Sequence, residues 1–237
     1  MDILFGHLTT PSQGFSLAFR ILGVVIMCAG MALLGRRNEV GWWLAVGSFA
    51  LQIPAAFFQI SASVPVSPAG LLLYLAASWI APLVGVGAAL YGLAWFRKAP
   101  LARPLVRDVA LRRFRPADVV APLAVAVVFA VAYLLPPLAL SFGLGGSGGL
   151  DRFPVVPVLA AGLLTGLLPA GLAGLAVRSR WAWLPIAGSS VASLGGVALA
   201  AQGSVLIFLF MAQAALAVFG FRGWGSLRRE AQLRPGS

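Results

Sequence analysis

Ser48 and Gln52 stand four residues apart, and Ser189 and Ser193 repeat that spacing further along the chain. In a helix this spacing puts both side chains of a pair on one face. Gln213 lies near the middle of another apolar run. Amides and hydroxyls in such positions can hold a solute by neutral hydrogen bonds, but they do not break covalent bonds unaided. The groups that would do so are missing. The chain has no H-E-x-x-H, no glycine-rich loop ending in Lys-Ser/Thr, and no Asp/His constellation within its apolar runs. His7 is the one histidine and Cys28 the one cysteine, so neither a disulfide framework nor a metal cluster is expected. All six acidic residues (Asp2, Glu39, Asp108, Asp118, Asp151, Glu230) fall in tails, loops or helix ends. The expectation is a protein that is not an enzyme, with no catalytic residue, metal or cofactor. Ion-coupled transport commonly uses intramembrane carboxylates or histidines, so any transport would be passive.

Aromatic side chains add a second kind of contact. Trp79, about ten residues into its apolar run and beside Ser78, can stack on a planar ring. Trp42, Trp43, Trp95, Trp181, Trp183 and Trp224 all fall near basic segments, where an aromatic belt at the lipid headgroups explains them. Arg20, inside the first run, is expected to snorkel to the headgroups. Attraction of an anionic solute group is its sharper alternative.

The elements that position these residues are long and apolar. Of 237 residues, 60% are hydrophobic and 10% charged, against roughly 25% charged in soluble domains. Apolar runs cover 15–35, 40–60, 69–96, 118–142, 153–177, 181–202 and 204–222. Each is close to the roughly 20 residues that cross a bilayer as helix. The runs are continuous rather than alternating, which argues against a β-barrel. The fold class expected is therefore an all-α membrane protein with about seven transmembrane helices. Asp2 and the lack of an early basic cluster argue that the first run is a retained helix rather than a cleaved signal.

Charge orients the layout. With these seven spans, fifteen basic residues fall on one side and two, Arg20 and Arg152, on the other. This is the positive-inside pattern of a plasma (inner) membrane protein, with the N-terminus outside and the C-terminus cytoplasmic. The net charge of +11 is thus spent on topology and on anionic headgroups near the 97–117 loop and the 225–237 tail, not on nucleic acid.

The two ends of the chain resemble each other. Arg37, Trp42, Gly47-Ser48 and Gln52 are matched by Arg178, Trp183, Gly188-Ser189 and Ser193, each displaced by 141 positions. Each half closes on an aromatic-glycine pair before basic residues, Tyr91-Gly92 and Phe219-Gly220. The organisation expected is one membrane domain: repeat 1 over about 15–96, a linker helix over about 118–142, and repeat 2 over about 153–222. Three helices, one linker and three helices make parallel repeats, a SWEET-like arrangement related by an axis along the membrane normal.

That 3+1+3 pattern, the basic residues and tryptophan opening the second helix of each triplet, and the "YGLAW" ending resemble the PnuC-type vitamin transporters, which include nicotinamide riboside facilitators. The family's signatures are Q-x2-F-x5-Y in the third helix and W-x2-W-x3-N in the sixth. Tyr91 and Trp181 fit one position of each, whereas Pro82, Gly85, Leu184 and Gly188 stand at the others. The resemblance implies facilitated uptake of a small vitamin- or nucleoside-like solute such as nicotinamide riboside. Thiamine or riboflavin transport, and a non-transporting membrane scaffold, are the alternatives. The candidate solute-binding residues are Gln52, Trp79, Tyr91, Trp181, Ser189, Ser193 and Gln213. The partners expected are the solute, membrane lipid and, as an option, further copies of the chain in a homo-oligomer.

The charge count makes a direct prediction. A cysteine placed within Gly145–Gly149 reacts with an impermeant thiol reagent from outside intact cells, and one replacing Ser237 reacts only after permeabilisation. The reverse pattern contradicts the orientation.

Overall fold

A computed structural model of the chain describes residues 11–60, 68–98, 117–143, 155–176, 180–199 and 204–233. Every described element is helical: α1 (Pro11–Gly35), α2 (Val40–Ala50), α3 (Gln52–Ile60), α4 (Pro68–Lys98), α5 (Ala117–Gly143), α6 (Val155–Ala176), α7 (Trp183–Leu199) and α8 (Ser204–Leu233), with a single 3-10 turn, Arg180–Ala182, leading into α7. Each of the seven expected spans has its helix, within a few residues. Five of them, over Gln13–Gly35, Val40–Phe58, Tyr74–Arg97, Val155–Ala176 and Val205–Trp224, are long and apolar enough to cross a membrane. The chain is an all-α, multi-pass membrane protein. Helices are the natural outcome, because hydrocarbon offers no partner for a backbone N–H or C=O outside its own segment. Most of the 97–117 loop, and the glycine-rich stretch from 144 to 149, lie outside the described residues. The tail expected from 225 is in part helix, since α8 continues through Arg228 and Arg229 to Leu233.

The second span is broken. Pro54 has no N–H to give to the Ala50 carbonyl, and the helix lapses at Leu51 before resuming at Gln52. Two other prolines on which a break could fall leave their helices whole. α4 runs unbroken through Pro82, and Pro185 sits in the first turn of α7, where the missing N–H has no carbonyl waiting for it.

A tight turn joins α1 to α2. The Asn38 N–H donates to the Leu33 carbonyl at 2.9 Å and the Arg37 N–H to that of Leu34 at 2.9 Å. This is the six-to-one and five-to-two pairing that ends a helix through a left-handed residue. The residue here is Arg37, at φ 59°, where glycine is usual. The next helix then starts at once, with the Val40 N–H donating to Asn38 Oδ1 at 2.9 Å.

Packing closes the spans into a ring. α1 lies against α2, α3 and α8; α4 against α2, α3 and α6; α7 against α6 and α8. Going round, the order is α1, α2 with α3, α4, α6, α7, α8, and back to α1. α5 stands outside this ring, in the groove between α4 and α6. One apolar core runs through all six spans of the ring, from Met27, Met31 and Leu34 through Phe49 and Leu93 to Leu172, Leu175 and Ile186. The core lies toward the end where Arg36, Arg37, Arg97, Arg180 and Arg222 gather, hereafter the basic end.

Candidate functional site

Two tryptophans organise the basic end. Trp42, 3% exposed, and Trp183, 0% exposed, open α2 and α7 with their rings turned into the bundle. Each lies on a glycine of the next helix. A methyl group on Gly92 would overlap the Trp42 six-membered ring, and one on Gly220 would lie 2.6 Å from Trp183 Cε2. Belt placement therefore fails for this pair, whereas Trp43, Trp95 and Trp181 are exposed as a belt requires.

The contacts one helix earlier recur in the same way. A methyl on Gly30 would meet the Gly41 carbonyl oxygen at 3.1 Å, and one on Gly171, 141 residues later, would meet that of Ala182 at 2.8 Å. In hydrocarbon, burial of apolar surface gives helices little reason to associate, so such close approach of small residues is what holds them.

Seven residues along α2 from Trp42, and seven back along α4 from Gly92, Phe49 lies on Gly85. The same steps from Trp183 and Gly220 lead to Ser190 and Gln213. Both are buried, at 1% and 3% exposure. The second half of the ring thus carries polar groups at the depth where the first half carries a phenyl ring on a glycine.

The polar groups divide into two sets. Ser16, Ser78, Ser189, Ser190 and Thr165 each donate to a backbone carbonyl; Ser189 Oγ reaches the Thr165 carbonyl at 3.3 Å. These hydroxyls are occupied by helix packing. Ser48, Gln52, Ser193 and Gln213 make no side-chain hydrogen bond among the described residues. Gln52 sits at the Leu51 break, half-buried, as is Ser193.

The remaining sequence candidates lie elsewhere. Trp79 shares an exposed stripe of α4 with Leu72, Leu83 and Leu90. Tyr91 is exposed and packs edge-on with Trp95, at 6.2 Å between ring centroids. Trp181 is exposed beneath the Arg180 guanidinium, at 4.9 Å from its centroid, and beside Phe221. Tyr91 and Trp181 thus lie toward the basic end, Tyr91 beside Trp95 and Trp181 beneath Arg180. Ser190 and Ser48 are buried polar residues missing from the sequence list; Ser190 lies one full seven-residue step from Trp183.

Charges crown the basic end. Arg97 pairs with Glu39, joining the end of α4 to the start of α2, and lies 5.6 Å from the Trp43 ring centroid. Arg37 lies 5.9 Å from the Trp224 ring centroid, and burial pulls its pKa below the ordinary arginine value. No group of His, Cys, Asp and Glu able to hold a metal ion occurs among the described residues.

If the tryptophan-on-glycine contacts hold the ring together, Gly92→Ala and Gly220→Ala each lower the melting temperature of the purified protein. The cost expected of overpacking is about 1–3 kcal/mol. Gly87→Ala, where an added methyl meets nothing within 4 Å, leaves it unchanged. Equal melting of all three variants contradicts the role given to these contacts.

No protein-family model matches the chain, and no curated protein does. Among solved structures, the crystal structure of the vitamin B3 transporter PnuC is similar to it, with a TM-score of 0.42 and 14% sequence identity, over 95% of this chain and 95% of that one. At that level of likeness the bundle's own geometry, rather than the neighbour, bears the functional reading.

Proposed function

We propose that this protein is a membrane transporter, a passive facilitator that moves a small solute between two three-helix units. The observation that carries this reading is Gln213. Its side chain is buried near the middle of the apolar span Val205–Trp224 of α8 and has no hydrogen-bond partner among the described residues. An amide at hydrocarbon depth without a partner costs several kcal/mol, so a protein that keeps one supplies water or a solute to meet it. Gln52 and Ser193, also without partners and related by the 141-residue displacement, extend this polar level across both halves.

The two units are α1 to α4 and α6 to α8, with α5 as the linker outside the ring. What supports treating them as parallel repeats is the recurrence of contacts: Gly30 with Gly41 and Gly171 with Ala182; Trp42 with Gly92 and Trp183 with Gly220. The ring order supports it too. The first helix of each unit meets the last of the other, α1 with α8 and α6 with α4, as a two-fold axis requires. An odd linker makes that axis parallel to the membrane normal. The basic end faces the cytoplasm on this reading, in keeping with the charge count.

The solute is small, planar and neutral or weakly charged, of vitamin or nucleoside kind. The sequence resemblance makes nicotinamide riboside the first candidate, with thiamine and riboflavin after it. The carboxylates fall at span ends or outside the spans, Asp118 at the start of α5 among them; on this reading the flux is downhill, and accumulation requires chemical trapping after entry.

Gln213→Leu tests the reading through two signs. It removes an unpartnered amide at similar volume, so the melting temperature stays level or rises. It also removes a hydrogen bond to the solute, so affinity falls by several-fold, the equivalent of about 0.5–1.5 kcal/mol. Thermal shifts against nicotinamide riboside, thiamine and riboflavin read the affinity, and vesicle uptake reads the flux. A lower melting temperature with unchanged uptake would mean the amide serves packing. Absence of any solute-dependent shift or uptake in the parent would favour the scaffold.

A further inference from the structure

Two donors at the basic end have no acceptor. The indole N–H groups of Trp183 and Trp224 are buried without a hydrogen-bond partner among the described residues. Their rings meet edge to face, with centroids 6.1 Å apart at 81°. A donor sealed from water in this way destabilises the arrangement that seals it. A third cost falls at the same place. Arg37 holds a left-handed backbone, at φ 59°, and a half-buried guanidinium over the Trp224 ring. Backbone strain of this kind gathers at ligand clamps and switch regions.

These three residues come from the end of α1, the start of α7 and the end of α8, where the two halves of the ring meet. Gly35 and Gly220 approach closely at the same junction. Opposing the costs is the packing of α8 on α1, where Gly220 meets Gly35; the fit of the Trp183 ring onto Gly220 lies within α7 and α8 and is kept when they move together. The matching contact in the first half, Trp42 on Gly92, has the same fit, and its indole N–H is not stranded in this way. The seal is therefore frustrated on one side and relaxed on the other.

We infer that Trp183, Trp224 and Arg37 form the opening edge of a gate at the basic end, closed in this structure, which opens by parting α7 and α8 from α1 and admitting water to both indole N–H groups. The inference rests on the transport reading and deepens it. It names the side that opens, α7 with α8, and the force that opens it, hydration of stranded donors. Closed and open states are then close in free energy without any ligand, as a passive carrier needs to cycle.

The near-symmetry of the two contacts supplies the control. Trp42→Phe and Trp183→Phe lose the same ring volume, but only Trp183→Phe removes a stranded donor. Reporters are Leu34→Cys and Leu175→Cys, one in each half of the buried core, each in a Cys28→Ala background. The full-length protein is reconstituted in liposomes, and the rate of reaction with a charged methanethiosulfonate reagent is measured. Trp42→Phe should label about tenfold faster than Trp183→Phe, the factor that one hydrogen-bond-sized penalty provides. Trp224→Phe, at a half-buried site more tolerant of lost volume, should label more slowly than the parent. Equal rates for Trp42→Phe and Trp183→Phe, or faster labelling of Trp183→Phe or Trp224→Phe, overturn the gate while uptake by the parent still upholds the transport reading. Unreactive reporters in every variant, with no uptake by the parent, overturn both.

Discussion

Two indole rings laid on two glycines hold the basic end of this bundle closed. In water, a tryptophan would contribute mainly by leaving solvent. In a bilayer the lipid tails are as apolar as the protein, and that contribution nearly vanishes between helices. What remains is fit. Trp42 on Gly92 and Trp183 on Gly220 bring α2 against α4 and α7 against α8 closely enough that one added methyl has no room. The approach of Gly30 to Gly41, and of Gly171 to Ala182, ties the first helix of each half to the second. The ring order and the apolar core of the ring accord with these contacts.

That closure has a consequence for polar groups. With the basic end filled by Met31, Leu34, Leu172, Leu175 and the two rings, side chains deeper in the membrane are cut off from water on that side. Serine and threonine adapt by donating to carbonyls in a neighbouring turn, as Ser190 and Thr165 do, or on the next helix, as Ser189 does. Glutamine has two donors and an acceptor and cannot be satisfied so locally. Gln52, at the break made by Pro54, and Gln213 have no hydrogen-bond partner among the described residues. The same closure strands the Trp183 and Trp224 donors, so the fit that stabilises the bundle also brings the costs that can open it.

Much of this architecture was legible in the sequence. Seven helices follow from seven apolar runs, because a span needs a fixed length and tolerates little charge. The displacement that pairs Trp42 with Trp183 also pairs contacts, because equal spacing on equal helices puts equal residues against the next helix. Facing was not legible. Trp42 and Trp43 are neighbours in sequence, near the same headgroups, yet one is core and the other exposed. A helix that is apolar nearly all round carries no stripe to show which side turns inward. Trp79, Tyr91 and Trp181 stood out by type and depth, but neither fixes burial, and all three are exposed. Proline type alone does not tell a break from a continuous helix: the second span lapses before Pro54, α4 runs through Pro82, and Pro185 sits in a first turn, where no carbonyl waits.

The central claim is that the polar level at Gln213 is open to a solute between the two halves. Its most direct measurement is the reactivity of Gln213→Cys, in a Cys28→Ala background, toward a charged methanethiosulfonate reagent, with and without nicotinamide riboside, thiamine or riboflavin. The account predicts that the cysteine reacts and that the solute which raises the parent's melting temperature slows the reaction. A folded, inserted protein whose Gln213→Cys stays unreactive from both sides of the membrane would contradict it.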